Sequence, residues 1–82
     1  MLTPLEEYLL RRFDRKHLVG AKHMLYENIL GGVARHEIGN LKDAVDSLLR
    51  KGYIVWYNRS KRALQLNPEK MKEIKEMLGL SS

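Results

Sequence analysis

The side chains best suited to chemistry are three histidines, a scatter of carboxylates and a set of arginines and lysines. His17, His23 and His36 stand six and thirteen residues apart, spacings that match no common metal-ligand motif, and the chain has no cysteine to join them. They read as surface or half-buried histidines. Glu27, Glu37, Asp43 and Asp46 supply carboxylates, but general acid–base work needs a cleft and displaced pKa values, and nothing in their spacing indicates either. Gly31-Gly32 and Gly39 form neither a Walker loop nor a dinucleotide-binding turn. The expectation is a protein that is not an enzyme, with no catalytic residue, no metal and no cofactor.

The basic residues are more informative, because they are clustered. From Ser47 to Pro68 there are five of them, Arg50, Lys51, Arg59, Lys61 and Arg62, and no acidic residue, so this stretch alone carries as much net charge as the whole chain, +5. A second cluster runs Arg11-Arg12-Phe13-Asp14-Arg15-Lys16, whereas from Glu69 onward three glutamates balance three lysines. Clustered positive charge is the footprint of a phosphate-backbone binder, although basic residues also serve simply to solubilise a surface. Trp56 and Tyr57 adjoin the basic turn. Trp56 reads as a core plug, and Tyr57, on the other strand face, as the better candidate for contact with a ligand.

The elements that would position these residues follow from local signals. Thr3 caps a first helix, with Pro4 at its first position and Glu6 completing a capping box; Leu5, Tyr8, Leu9 and Phe13 recur at helical spacing to about Asp14. Leu18-Val19-Gly20 reads as a short strand or as the lead-in to a second helix. That helix spans Ala21 to Leu30, with Ala21, Met24, Leu25 and Ile29 on one face and Gly31-Gly32 as a left-handed stop. Leu41, Ala44, Val45, Leu48 and Leu49 form the apolar stripe of a third helix over about 40–51, capped by Asn40 and stopped by Gly52. Tyr53 to Tyr57 then alternates as a strand does. A polar turn, Asn58-Arg59-Ser60-Lys61, leads into a return strand, Arg62 to Leu66, so that 53–66 is a β-hairpin. Asn67-Pro68 opens a last helix over about 68–78, carrying Met71, Ile74, Met77 and Leu78 and closed by Gly79. The predicted fold is mainly α with a small β-hairpin: a three-helix core, a two-stranded wing and a C-terminal helix, in a single domain over 1–82.

The order of three short helices and a hairpin, together with the run Asn40 to Ile54 and its ending Leu48-Leu49-Arg50-Lys51-Gly52-Tyr53-Ile54, resembles the winged helix-turn-helix superfamily, and within it small winged-helix DNA-binding proteins of archaea. Leu64-Gln65-Leu66-Asn67-Pro68 resembles the second wing strand leading into a closing helix. The resemblance covers nearly the whole chain. It implies that Asn40, Lys42, Asp43, Asp46 and Ser47 face a major groove, with Arg50 further along as a phosphate contact. Arg35 and His36 in the turn before the helix would approach the backbone, and Arg59, Lys61 and Arg62 of the wing would reach phosphates or a minor groove. Asp43 and Asp46 depart from the pattern, since two carboxylates on a reading face mostly repel phosphate. They leave room for a wing-dominated mode or a protein-binding face.

The function expected is therefore a nucleic-acid-binding winged-helix module, a transcriptional regulator on double-stranded DNA. The alternatives are RNA or ribonucleoprotein binding and a protein-interaction module using the acidic face of the third helix. The stripe Met71, Ile74, Met77 and Leu78 either packs on its own domain or makes a homodimer. No apolar run approaches the roughly 18 residues that span a bilayer, and Glu6 and Glu7 stand where a secretory signal would be basic. Cytoplasmic localisation without a membrane partner is the corresponding expectation.

Overall fold

The computed structural model describes residues 2–20, 22–31 and 33–79. The chain is mainly helical with a small antiparallel sheet. In chain order it forms α1 (Pro4–Arg15), β1 (Met24–Leu25), α2 (Tyr26–Leu30), a 3-10 turn (Arg35–Glu37) running into α3 (Ile38–Lys51), β2 (Ile54–Asn58), β3 (Ala63–Leu66), a second 3-10 turn (Pro68–Lys70) and α4 (Met71–Met77).

The start of α1 follows from its cap. The Glu6 amide donates to the Thr3 hydroxyl at 3.2 Å, and the Glu6 carboxylate accepts from the Thr3 amide at 2.9 Å, so two backbone donors that the helix cannot satisfy are paired. The helix then buries Leu9, Leu10 and Phe13. Helix α3 buries Leu41, Ala44, Val45 and Leu48 from its predicted stripe and stops at Gly52, whose φ of 82° folds the chain back so that the Tyr53 amide donates to the Leu48 carbonyl at 3.1 Å. Leu18, Ile29, Ile54, Leu64, Leu66, Ile74 and Leu78 complete one core. Each such side chain contributes about 1.5–3 kcal/mol of burial.

The second helix departs from expectation. Its predicted span, from Ala21 (outside the described residues) to Leu30, is divided: Met24–Leu25 is a strand and only Tyr26–Leu30 is helical. The same apolar spacing serves a strand because Met24 and Leu25 pair with Leu64 and Ala63. The sheet consequently has three strands in the order β1-β3-β2 rather than the two expected. Leu18 to Gly20 is neither strand nor helix, although the Leu18 carbonyl accepts from the Leu66 amide at 2.6 Å. Gly31 ends α2 with φ −71°, so no left-handed stop operates there; Gly32 lies outside the described residues.

Two boundaries move for similar reasons. Asn40 lies inside α3, because the 3-10 turn carries the chain into the helix from Arg35 and no side chain caps it. The hairpin turn is Arg59 to Arg62, with Asn58 closing β2 and accepting from the Lys61 amide at 3.0 Å. In the absence of glycine, Arg62 itself takes the left-handed conformation, φ 56°. One extra residue between Trp56↔Leu64 and Asn58↔Ala63 makes a β-bulge at Tyr57.

The stripe on the last helix is divided. Ile74 and Leu78 are buried in the chain's own core, and Met71 and Met77 pack partly against it.

Candidate nucleic-acid interface

Helix α3 carries the residues predicted to read a groove, and its geometry divides them. Asp43, Asp46 and Arg50, at i, i+3 and i+7, are exposed on the face opposite the buried stripe. Lys42 sits on one flank. Asn40, Asp43 and Ser47 lie toward α1, where they line a shallow depression with Thr3, Leu5 and Glu6.

Ser47 is tied to α1. Half-buried, it donates its hydroxyl to Glu6 Oε2 at 2.7 Å. Lys51 Nζ donates to the same carboxylate at 2.9 and 3.2 Å. Glu6 is 1% exposed, and burial alone would raise its pKa. The hydrogen bonds from the Thr3 amide, Ser47 and Lys51 outweigh that effect and hold it at about 2, against an ordinary 4.5. A cap that sequence reads as local is thus also the polar tie between α1 and the end of α3.

On the other flank, Lys42 meets the hairpin turn. Together with Lys61 and Arg62 of the turn and Tyr26, Glu27 and Leu30 of α2, it lines an open cleft of about 360 Å³. The Arg62 guanidinium lies 4.6 Å from the centroid of the Tyr26 ring, and Trp56 stacks on the same residue at 6.4 Å and 17°. The Tyr26 amide donates to the Arg62 carbonyl at 2.8 Å, which ties the start of α2 to the turn. The Tyr26 phenol has a raised pKa, chiefly from burial and then from the charges of Asp46 and Asp43, with Arg62 opposing. The acidic residues of α3 are thus felt inside the cleft, beside three cations.

The remaining predicted residues are placed separately. Arg35 and His36 are exposed in the 3-10 turn before α3, and Arg59 is exposed in the hairpin turn. Tyr57, 44% exposed, sits at the bulge and stacks on His23 at 4.2 Å and 7°. Trp56 is half-buried against the core.

Sequence reasoning missed Tyr26, Glu6 as a tertiary group and the His23–Tyr57 stack. The signal for Tyr26 was present: an aromatic residue beside a glutamate, at the start of an element with little else to bury. Among the described residues no three metal-binding side chains converge, and no helix is long and apolar enough to cross a membrane. Comparison with protein-family models, with curated proteins and with solved structures gives no match for this chain.

Proposed function

We propose that the chain is a winged helix-turn-helix module that binds duplex DNA and acts in transcriptional regulation, with β2 and β3 as its wing. The observation that carries this reading is the cleft shared by α3 and the hairpin turn, which Lys42, Lys61 and Arg62 line together with Tyr26 and Glu27, the Arg62 guanidinium lying over the Tyr26 ring. A phosphate backbone lying across that cleft meets cations from two elements at once, while Arg59 extends the positive edge along the turn. Asp43 and Asp46 keep the middle of α3 from close approach to phosphates. The wing and the Lys42 flank therefore supply most of the affinity, and α3 supplies sequence preference through Asn40 or through cytosine amino groups offered to the aspartates.

The test is a fluorescence-anisotropy titration of labelled duplex DNA at low and moderate salt. The native chain binds, and changing Arg59, Lys61 and Arg62 together to alanine weakens binding on all sequences. Loss of three phosphate contacts lowers the slope of log K against log salt by about 3. Unchanged affinity in the triple variant refutes the wing as the contact surface. Competition with structured RNA distinguishes the RNA-binding alternative.

The exposed Asp43 and Asp46 at the centre of the outer face of α3 favour one second reading, a protein-interaction module that takes a basic partner there. Absence of any nucleic-acid binding at low salt, together with capture of a basic partner lost in an Asp43→Asn, Asp46→Asn variant, would select it.

A further inference from the structure

The cluster Arg11 to Lys16 plays no part in the cleft between α3 and the hairpin turn. Arg11 is spent within the fold, donating to Glu7 and to the Leu78 carbonyl. Asp14 pairs with Lys75 at 3.3 Å, so its charge is turned toward α4. Arg12 is fixed by donation to the carbonyls of Ile29 and Asn28, at 3.1 and 3.4 Å. Arg15 and Lys16 are exposed at the end of α1.

Two adjoining clefts meet on this run. One is lined by Tyr8, Arg12, Arg15 and Lys16, the other by Arg12, Lys16, His23 and Asn28 among others. Arg12 and Lys16 belong to both, and among the described residues neither cleft includes a residue of α3 or of the hairpin turn. The aromatic residues complete the pattern. Tyr8 and Tyr57 are the large hydrophobic side chains exposed on the described surface, at 46% and 44%. Tyr8 stands at one end of the basic run, and Tyr57, through its stack on His23, at the other.

Either feature alone would be ordinary. Cations in the last turn of a helix complement its dipole, and single exposed tyrosines are common. Two exposed rings flanking one set of cations are a more specific arrangement. We infer that Tyr8, Arg15, Lys16 and the His23–Tyr57 stack form a second nucleic-acid surface, a track for a single strand whose unpaired bases lie on the rings and whose phosphates lie on the cations. A duplex offers base edges and keeps its base faces covered, whereas an unpaired strand offers a face to every ring. From Tyr8 to Lys16 the helix rises about 12 Å, enough for the rings and cations to engage successive nucleotides. Among the described residues Leu25 alone lines both this surface and the cleft beside the hairpin turn, and the track does not depend on the proposed duplex site.

The test titrates the full chain with labelled oligothymidylate and oligouridylate of about twelve nucleotides, and in parallel with a blunt duplex. Tyr8→Ala and Tyr57→Ala each weaken single-strand binding by roughly 5- to 150-fold, the value of one stacked base. Tyr57→Phe, which keeps the ring, binds as the native chain does. Arg15→Ala with Lys16→Ala weakens binding and reduces its salt dependence. Duplex affinity is unchanged in the Tyr8→Ala variant, and the Arg59, Lys61, Arg62 triple variant keeps its single-strand affinity. Since both tyrosines are exposed, unchanged circular dichroism and thermal midpoints confirm that the variants are folded. Binding of either oligonucleotide with this profile supports the track, and their relative affinities say whether a DNA or an RNA strand is the source. The inference is overturned if neither oligonucleotide binds, if the tyrosine-to-alanine variants bind like the native chain, or if single-strand binding disappears with the wing residues.

Discussion

Replacing Glu6 by glutamine tests how far one buried carboxylate organises this small domain. The substitution keeps the shape and an acceptor for the Thr3 amide but removes the charge that Ser47 and Lys51 address. A pKa of about 2 in the folded chain, against 4.5 ordinarily, corresponds to about 3 kcal/mol favouring the ionised folded form at pH 7. The sign follows from the lowered value. The contribution is complete above the unfolded pKa and is lost as pH falls through the folded one, between pH 4.5 and about 2. About 1.4 kcal/mol of it remains at pH 3 and less than ~0.5 kcal/mol at pH 2. Urea unfolding followed by circular dichroism, on native and Glu6→Gln chains at pH 7, 4.5, 3 and 2, isolates this group, because the other carboxylates titrate in both chains and cancel in the difference. At neutral pH the variant should be about 2–3 kcal/mol less stable, a fall in Tm of roughly 10–20 °C for a domain of this size. The gap should narrow steadily below pH 4.5. A variant as stable as the native chain at pH 7, or a gap that does not change down to pH 2, would refute the assignment of the network.

Other perturbations follow from single positions. Leu41→Ala empties a fully buried site in α3 and should cost about 2–5 kcal/mol by the same unfolding assay. Gly52→Ala should cost about 1–2 kcal/mol, because alanine is strained at φ 82° and its Cβ would lie 3.4 Å from Lys70 Cε. At Arg62, glycine relieves a left-handed arginine worth about 1–2 kcal/mol and forfeits a cation–π contact worth about 0.5–1 kcal/mol. Arg62→Gly should therefore unfold at or slightly above the native midpoint while binding duplex DNA more weakly; a parallel loss of both would show that the arginine serves the fold.

Much of this arrangement is legible in the chain because it is local. Thr3 and Glu6 stand three residues apart and need nothing else to cap a helix. The stripe from Leu41 to Leu48 and the stop at Gly52 are likewise written within one element. What the chain conceals is set by partners distant in sequence. Met24 and Leu25 fit a helical face as well as a strand, and only Ala63 and Leu64 decide between them. Asn40 has the chemistry of a cap, but the 3-10 turn at Arg35 starts the helix earlier. Ser47 lies on a polar face by spacing and is claimed by Glu6, 41 residues away. Of the residues expected to act together, Lys42, Lys61 and Arg62 converge on one cleft, whereas Tyr57 stands with His23 beside the basic end of α1.

The pairing of β1 with β3 also has consequences in time. The hairpin closes over a four-residue turn, whereas β1 reaches β3 across about forty residues, a closure that costs about 3 kcal/mol in chain entropy for a two-residue ladder. The hairpin therefore closes at the lower entropic cost, and the two-residue β1–β3 ladder is the seam expected to open first. Because Tyr26 follows this seam directly and its amide is held by the Arg62 carbonyl, each opening also separates the aromatic wall of the cleft from the turn that faces it. A ligand bridging Lys42 and Arg62 would act as a clasp across the seam, and the Tyr26 amide should then exchange its hydrogen more slowly than in the free chain.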